Sequence, residues 1–201
     1  MMRLPFALAL AAALAGGCSK KSNTPAPAEP TGGGEAAAGS AAAPVAGEMT
    51  AAPQRAVATL AGTKGHEGVK GTVEFVAKDG AVVVTAHVVG LSPGDHGFHI
   101  HEKGDCSAPD GASAGGHFNP SGHTHGAPDA AMHHEGDLGN LTAGSDGVAD
   151  KTITLSDVTL GTEPNSVIGK GFIIHDKADD MKTQPTGNAG ARVACGVIAT
   201  P

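Results

Sequence analysis

Two histidines stand one residue apart in GFHIHEKGDC, residues 97–106, and others crowd the stretch GGHFNPSGHTHGAPDAAMHHEGDLGN that follows. The chain carries eleven histidines, most of them between His96 and His134. A lone histidine is ordinarily a surface or core residue. A cluster joined by Asp137, in a stretch without a core of its own, points instead to metal, and imidazole nitrogens suit both zinc and copper. Side chains alternate along a strand, so His99 and His101 project together while Ile100 turns into the core. His96 has the opposite parity, unless Gly97 disturbs the count, and reads as structural. His66 reads as a hairpin tip. His87 sits in an apolar strand with no evident partner.

These residues need a scaffold. From about Arg55 to Pro201 the chain has a length typical of one domain. It has neither Trp nor Tyr, yet VKGTVEFVA, AVVVTAHVVG, KTITLSDV, GFIIHD and RVACGVIA are β-branched and partly alternating. Turn residues punctuate them, as in KDG, SPGD, GSDG, EPN and TGNAG. Short strands with such turns and no 3.6-residue apolar period predict an all-β, antiparallel sandwich or flattened barrel. Between about Glu102 and Gly139 the Gly-, His-, Pro- and Asp-rich stretch offers little to a core, so something else must order it.

The N-terminal residues 1–17 read as a signal peptide: Arg3, an apolar run from Leu4 to Leu14, then small residues. AGGC at 15–18 resembles the lipobox of bacterial lipoproteins, in which the cysteine is acylated; simple cleavage by an ordinary signal peptidase is the alternative. Residues 18–55, rich in Ala, Pro, Gly and Ser, cannot bury enough surface to offset chain entropy and are expected to form a disordered tether. If Cys18 takes lipid, two cysteines are left, and Cys106 and Cys195 are expected to pair in an exported protein. Their bridge would pin the start of the long loop to the last strand. In the chain-entropy account, closing a loop of that size stabilises by about 4–5 kcal/mol.

In this order, GFHIHEKGDC, GGHFNP, HGAP, HEGDLGN, GFIIHDKADD and GNAGARVACGVI resemble the copper,zinc superoxide dismutase family, in its bacterial exported branch. The resemblance covers essentially all of residues 56–201. It implies a Greek-key β-sandwich or flattened barrel of about eight strands, with long metal-binding and electrostatic loops. It implies copper on His99, His101, His117 and His175, and zinc on His117, His125, His134 and Asp137, with His117 shared. HTH offers His123 or His125 and MHHEGD offers His133 or His134; the family spacing selects His125 and His134. The resemblance further implies a Cys106–Cys195 disulfide, an active-site arginine at Arg192, and a carboxylate at Asp179 linking ligands of both metals. The zinc set would saturate a tetrahedral ion, which describes a structural site, while copper would do the redox work.

The implied reaction is dismutation of superoxide to dioxygen and hydrogen peroxide, with His117 alternating between ligand and proton donor. The formal net charge of −7 opposes an anionic substrate and gives no ground for a nucleic-acid partner. What matters for superoxide is the field at the mouth of the site, where the metals and Arg192 supply positive potential; this enzyme class is a known example of such steering. The segment between His175 and Arg192 is shorter than in eukaryotic members, leaving Lys182 as the candidate guide. A lipid-anchored periplasmic or outer-membrane location is expected. Monomer and homodimer both stay open, and a copper- and zinc-buffering lipoprotein without turnover is the competing reading.

Overall fold

The structure is a computed structural model that describes residues 54–201. The expected signal peptide, Cys18 and nearly all of the expected tether lie outside the described residues. Arg55, assigned from the sequence to the end of that tether, instead opens the first strand and pairs with Glu74 at 2.6 Å.

Eight strands follow one another: β1 (Arg55–Gly62), β2 (Lys70–Lys78), β3 (Ala81–Val89), β4 (Gly94–His101), β5 (Asp137–Ala143), β6 (Ala149–Leu155), β7 (Gly171–His175) and β8 (Arg192–Ala199). They form one antiparallel sheet in the order β5-β4-β7-β8-β1-β2-β3-β6. Alternation in the sequence becomes an inside and an outside. Ala56, Ala58 and Leu60 on β1, Val73 and Phe75 on β2, and Val82, Val84, Ala86 and Val88 on β3 are all buried in the core. Phe172 sits edge-on to Phe75 and Phe98, at 5.9 and 4.8 Å between ring centres. Three such rings supply much of the apolar area in a chain without Trp or Tyr.

The sheet curls until its edge strands β5 and β6 approach, so the barrel is nearly closed. Lys151 on β6 spans the gap, donating from Nζ to the carbonyls of Leu138 (3.3 Å) and Asn140 (2.5 Å) on β5. A lysine side chain thus satisfies carbonyls that a strand edge would otherwise leave open.

On β4 the inward Phe98 and Ile100 leave His99 and His101 facing out. On β7 the inward Phe172 and Ile174 leave Ile173 and His175 facing out. The β4–β5 register shifts between Gly97 and His99, but the extra residue lies on β5, between Asp137 and Asn140, so alternation along β4 holds and His96 keeps the opposite parity. A Cβ on Gly97 would lie 2.8 Å from Ala189 Cβ and 2.9 Å from His99 Cε1, so glycine lets the chain pass beneath the histidines. The outer face of β4, β7 and β8 is roofed by the long segment after β4. Cys106 and Cys195 are joined, with their Cα atoms 5.8 Å apart.

That segment contributes more to the core than its composition suggested. Phe118 and Leu138 are buried in the main core, and β5 starts within it at Asp137. The Phe118 N–H donates to the Ile100 carbonyl, and the Phe118 carbonyl accepts from Gly136 N–H, at 2.9 and 2.8 Å. His87, for which the sequence offered no partner, meets Asp150 across β3 and β6 at 2.8 Å on an exposed face.

Candidate metal centre

The outward histidines of β4 and β7 meet the roof, and two buried groups of four result. His99, His101, His117 and His175 form one; His117, His125, His134 and Asp137 form the other. Within each group one ligand atom per residue lies within 4.8 Å of the rest. These are the two sets expected from the sequence, with His117 common to both. His96 stays out of them, its Nδ1 against the His175 carbonyl (2.7 Å) and its Nε2 against the Ser92 carbonyl (2.9 Å). His123 and His133 also stay out, turned toward backbone carbonyls of the roof.

The outer nitrogens are tied down. His99 Nε2 contacts Asp179 Oδ2 (2.8 Å), His101 Nδ1 the Gly115 carbonyl (3.0 Å), and His175 Nδ1 the Gly190 carbonyl (3.3 Å). An acceptor on the outer nitrogen fixes the proton there and leaves a lone pair on the inner one. The inner atoms, His99 Nδ1, His101 Nε2, His175 Nε2 and His117 Nε2, are buried without a hydrogen-bond partner. An unpaired buried polar atom costs about 1–3 kcal/mol, so four converging lone pairs call for a cation. Burial first of all keeps these rings neutral. It lowers His99 to about 4 and His175 to about 3, and takes His101 well below the ordinary imidazole range.

The second group converges on one oxygen. Asp137 Oδ1 lies 2.7 Å from His117 Nδ1, 3.0 Å from His125 Nδ1 and 3.2 Å from His134 Nδ1. His125 Nδ1 is buried and lacks hydrogen-bond geometry to any group. Ligands about 2.0–2.1 Å from a tetrahedral zinc lie about 3.3 Å from one another, close to this spacing. Burial would raise the Asp137 and Asp179 carboxyls, but hydrogen bonds from the facing histidines outweigh it and hold both far below the usual carboxylate range. Burial also works against charge on His125, yet Asp137 and Asp179 together raise it to about 9. The residues present fit copper in the first group and zinc in the second.

Asp179 connects the groups, accepting from His99 Nε2 on one oxygen and from His125 Nε2 (2.9 Å) on the other. Gly187, at φ +69°, packs against it where a Cβ would overlap the carboxylate. Two carboxamides that sequence reasoning did not single out hold the peptides concerned. Asn140 accepts from Asp179 N–H (2.7 Å) and donates to the Asp179 carbonyl (2.9 Å). Gln184 does the same for His125, at 2.9 Å each way. Asn140 lies inside the quoted HEGDLGN motif, which was the available signal; Gln184 had none. Arg192, at the start of β8, is half-buried and donates to the Gly111 (2.6 Å) and Gly115 (2.5 Å) carbonyls. Gly115 thus anchors both the arginine and His101. Lys64 shares a cleft of about 300 Å³ with Arg192, whereas Lys182 is exposed in the connection between β7 and β8.

The lowered imidazoles make the metal-free protein acid-sensitive before its carboxylates titrate. The unfolded chain binds protons near pH 6.5, while folded His99 and His175 do so only near 4 and 3. Their contribution is complete above about pH 6.5 and drains away between there and pH 3–4. The raised His125 works in the other direction, but its contribution is complete below about pH 6.5 and lost only as pH rises through 9. Thermal melts in chelator should therefore show the midpoint falling from pH 7 to pH 4. A flat or rising midpoint would contradict the neutral, buried assignment.

Comparison with known proteins places these features in a family. The family model for copper/zinc superoxide dismutase (SODC) matches residues 69–198. Among solved structures, the clock protein EA4 is 39% identical, with the match covering 75% of this chain and 96% of that one at a TM-score of 0.69.

Proposed function

The chain belongs to the copper/zinc superoxide dismutase family, and from that premise we propose that it converts superoxide to dioxygen and hydrogen peroxide. The observation that carries the reading is His117, which turns an unpartnered Nε2 into one histidine group while its Nδ1 faces Asp137 in the other. His99, His101, His117 and His175 would hold copper; His117, His125, His134 and Asp137 would hold zinc. Copper, when bound, supplies one-electron exchange with each of two successive superoxide anions.

The chain's own residues manage protons and orientation. His117 belongs to both groups, so its Nε2 would serve copper while its Nδ1 faces Asp137 on the zinc side. Its Nε2 takes up a proton as one superoxide leaves as dioxygen, and gives that proton to the second superoxide. Water supplies the other proton of hydrogen peroxide. Asp179 keeps His99 and His125 in the tautomers that aim their Nδ1 atoms inward. Arg192 spends two donors on carbonyls and keeps its remaining N–H groups for an anion beside His101.

Metal content and superoxide consumption of the purified protein test the reading. About one copper and one zinc per chain with rapid consumption are expected; both metals without turnover would favour the buffering alternative. Residues 1–17 as signal peptide, acylated Cys18 and a tether over 18–55 extend the proposal to an exported, lipid-anchored enzyme of the periplasm or outer membrane, and the intact mass of the same preparation reads the lipid. Arg192→Ala should keep both metals, lose at least about tenfold in rate, and lose most of its ionic-strength dependence. A variant as fast as the parent at every salt concentration would contradict the steering role.

A further inference from the structure

The zinc-side group is sealed except on one flank. The His117, His125 and Asp137 side chains are at most 1% exposed, while His134 reaches 8%. A pocket of about 110 Å³, large enough for several waters, is lined by His133, Glu135 and Asp157 together with Asp137. None of the first three belongs to either histidine group. His133 Nε2 contacts Asp157 Oδ2 at 3.1 Å toward the surface, with side chains 21% and 35% exposed.

Deeper in, Glu135 is 6% exposed. Its Oε1 accepts from Ser121 Oγ, but Oε2 is buried with no hydrogen-bond partner. A buried carboxylate oxygen left unpaired is costly, and nothing in the folded scaffold compensates it. The four residues therefore grade inward: an imidazole–carboxylate pair at the mouth, an unsatisfied carboxylate below it, and the Asp137 ligand at the back. Their charge and donor chemistry suit a hydrated divalent cation.

We propose that this pocket is the route by which zinc enters its site, with Asp157 and His133 capturing the hydrated ion and Glu135 relaying it to Asp137. The proposal rests on zinc binding at His117, His125, His134 and Asp137, and adds a kinetic role for residues that bind no metal at equilibrium. Clefts lined by one sign of charge raise association rates by about 10–10³-fold, which sets the scale for losing two carboxylates.

The test is the rate of zinc uptake by metal-free full-length protein, followed by stopped flow against a chromophoric chelator. Glu135→Gln with Asp157→Asn should slow association and dissociation alike, about tenfold, while leaving zinc stoichiometry and affinity unchanged. Asp146→Asn, which removes one carboxylate charge in the β5–β6 turn at the far end of β6, should leave association unchanged. Association within twofold of the parent in the double variant would overturn the route, as would equal slowing in Asp146→Asn. Faster dissociation with unaltered association would also overturn it, by showing that the pair merely supports the bound state. A parent protein that takes up no zinc would overturn the reading beneath the proposal, and the route with it.

Discussion

His117→Ala should lower superoxide turnover by about 10²–10⁴-fold, the range that a positioned proton donor contributes, even where copper is restored by excess metal. The size of the effect follows from the double duty of one ring. Its Nε2 is the only one of the four copper-side nitrogens whose ring also faces a second cation site. The other three rings are each tied to a carbonyl or carboxylate through the far nitrogen, which fixes their protons in place. The far nitrogen of His117 instead faces Asp137, at 2.7 Å, on the zinc side, so zinc would hold the ring in place while Nε2 exchanges a proton. Alanine also removes one ligand from each group, so zinc affinity falls in the same variant. Steady-state consumption of superoxide at matched copper content checks the prediction, and equal rates in parent and variant would rule out the proton role.

Asp179→Asn should weaken metal affinity by about 10–100-fold, the usual consequence of losing an outer partner of a ligating histidine. The carboxylate accepts from two rings at once, at 2.8 and 2.9 Å, and its Oδ1 also accepts the Met181 N–H at 2.6 Å. An asparagine presents one oxygen and one NH₂. Whichever way it turns, one histidine N–H meets a donor, and that ring must flip, tilt or surrender its tautomer. If the oxygen stays with His125, copper affinity suffers through His99; the opposite orientation weakens zinc. Competition with chelators of known affinity separates the two. Unchanged affinity for both metals would mean that packing alone orients these rings.

Where the sequence was informative, it was so for physical reasons. Strand alternation separates His99 and His101 from Ile100 and puts them on one face, whereas His125 and His134 were selected over their neighbours only by the spacing that the family resemblance implies, eight residues after His117 and three before Asp137. The strands β2, β3, β6, β7 and β8 follow from β-branched runs and the turns between them, whereas β1 and β5 were not marked by such runs. What stayed hidden depends on partners distant in sequence. Asp150 pairs with His87 only because β3 lies beside β6, and Lys151 closes the barrel only because β5 and β6 meet. Phe118 sits in a stretch whose composition reads as loop, yet backbone bonds to Ile100 and Gly136 carry it into the core. The Gly115 and Gly190 carbonyls that fix two imidazoles leave no trace in side-chain chemistry, and the Gln184 clamp on His125 spans 59 residues.

The shared imidazole is open to direct measurement. Anomalous diffraction at the copper and zinc edges from the oxidised, fully loaded protein should find one ion at each nitrogen of His117, copper at Nε2 and zinc at Nδ1. Two ions on separate sets of residues, with His117 bound to one or neither, would contradict the account.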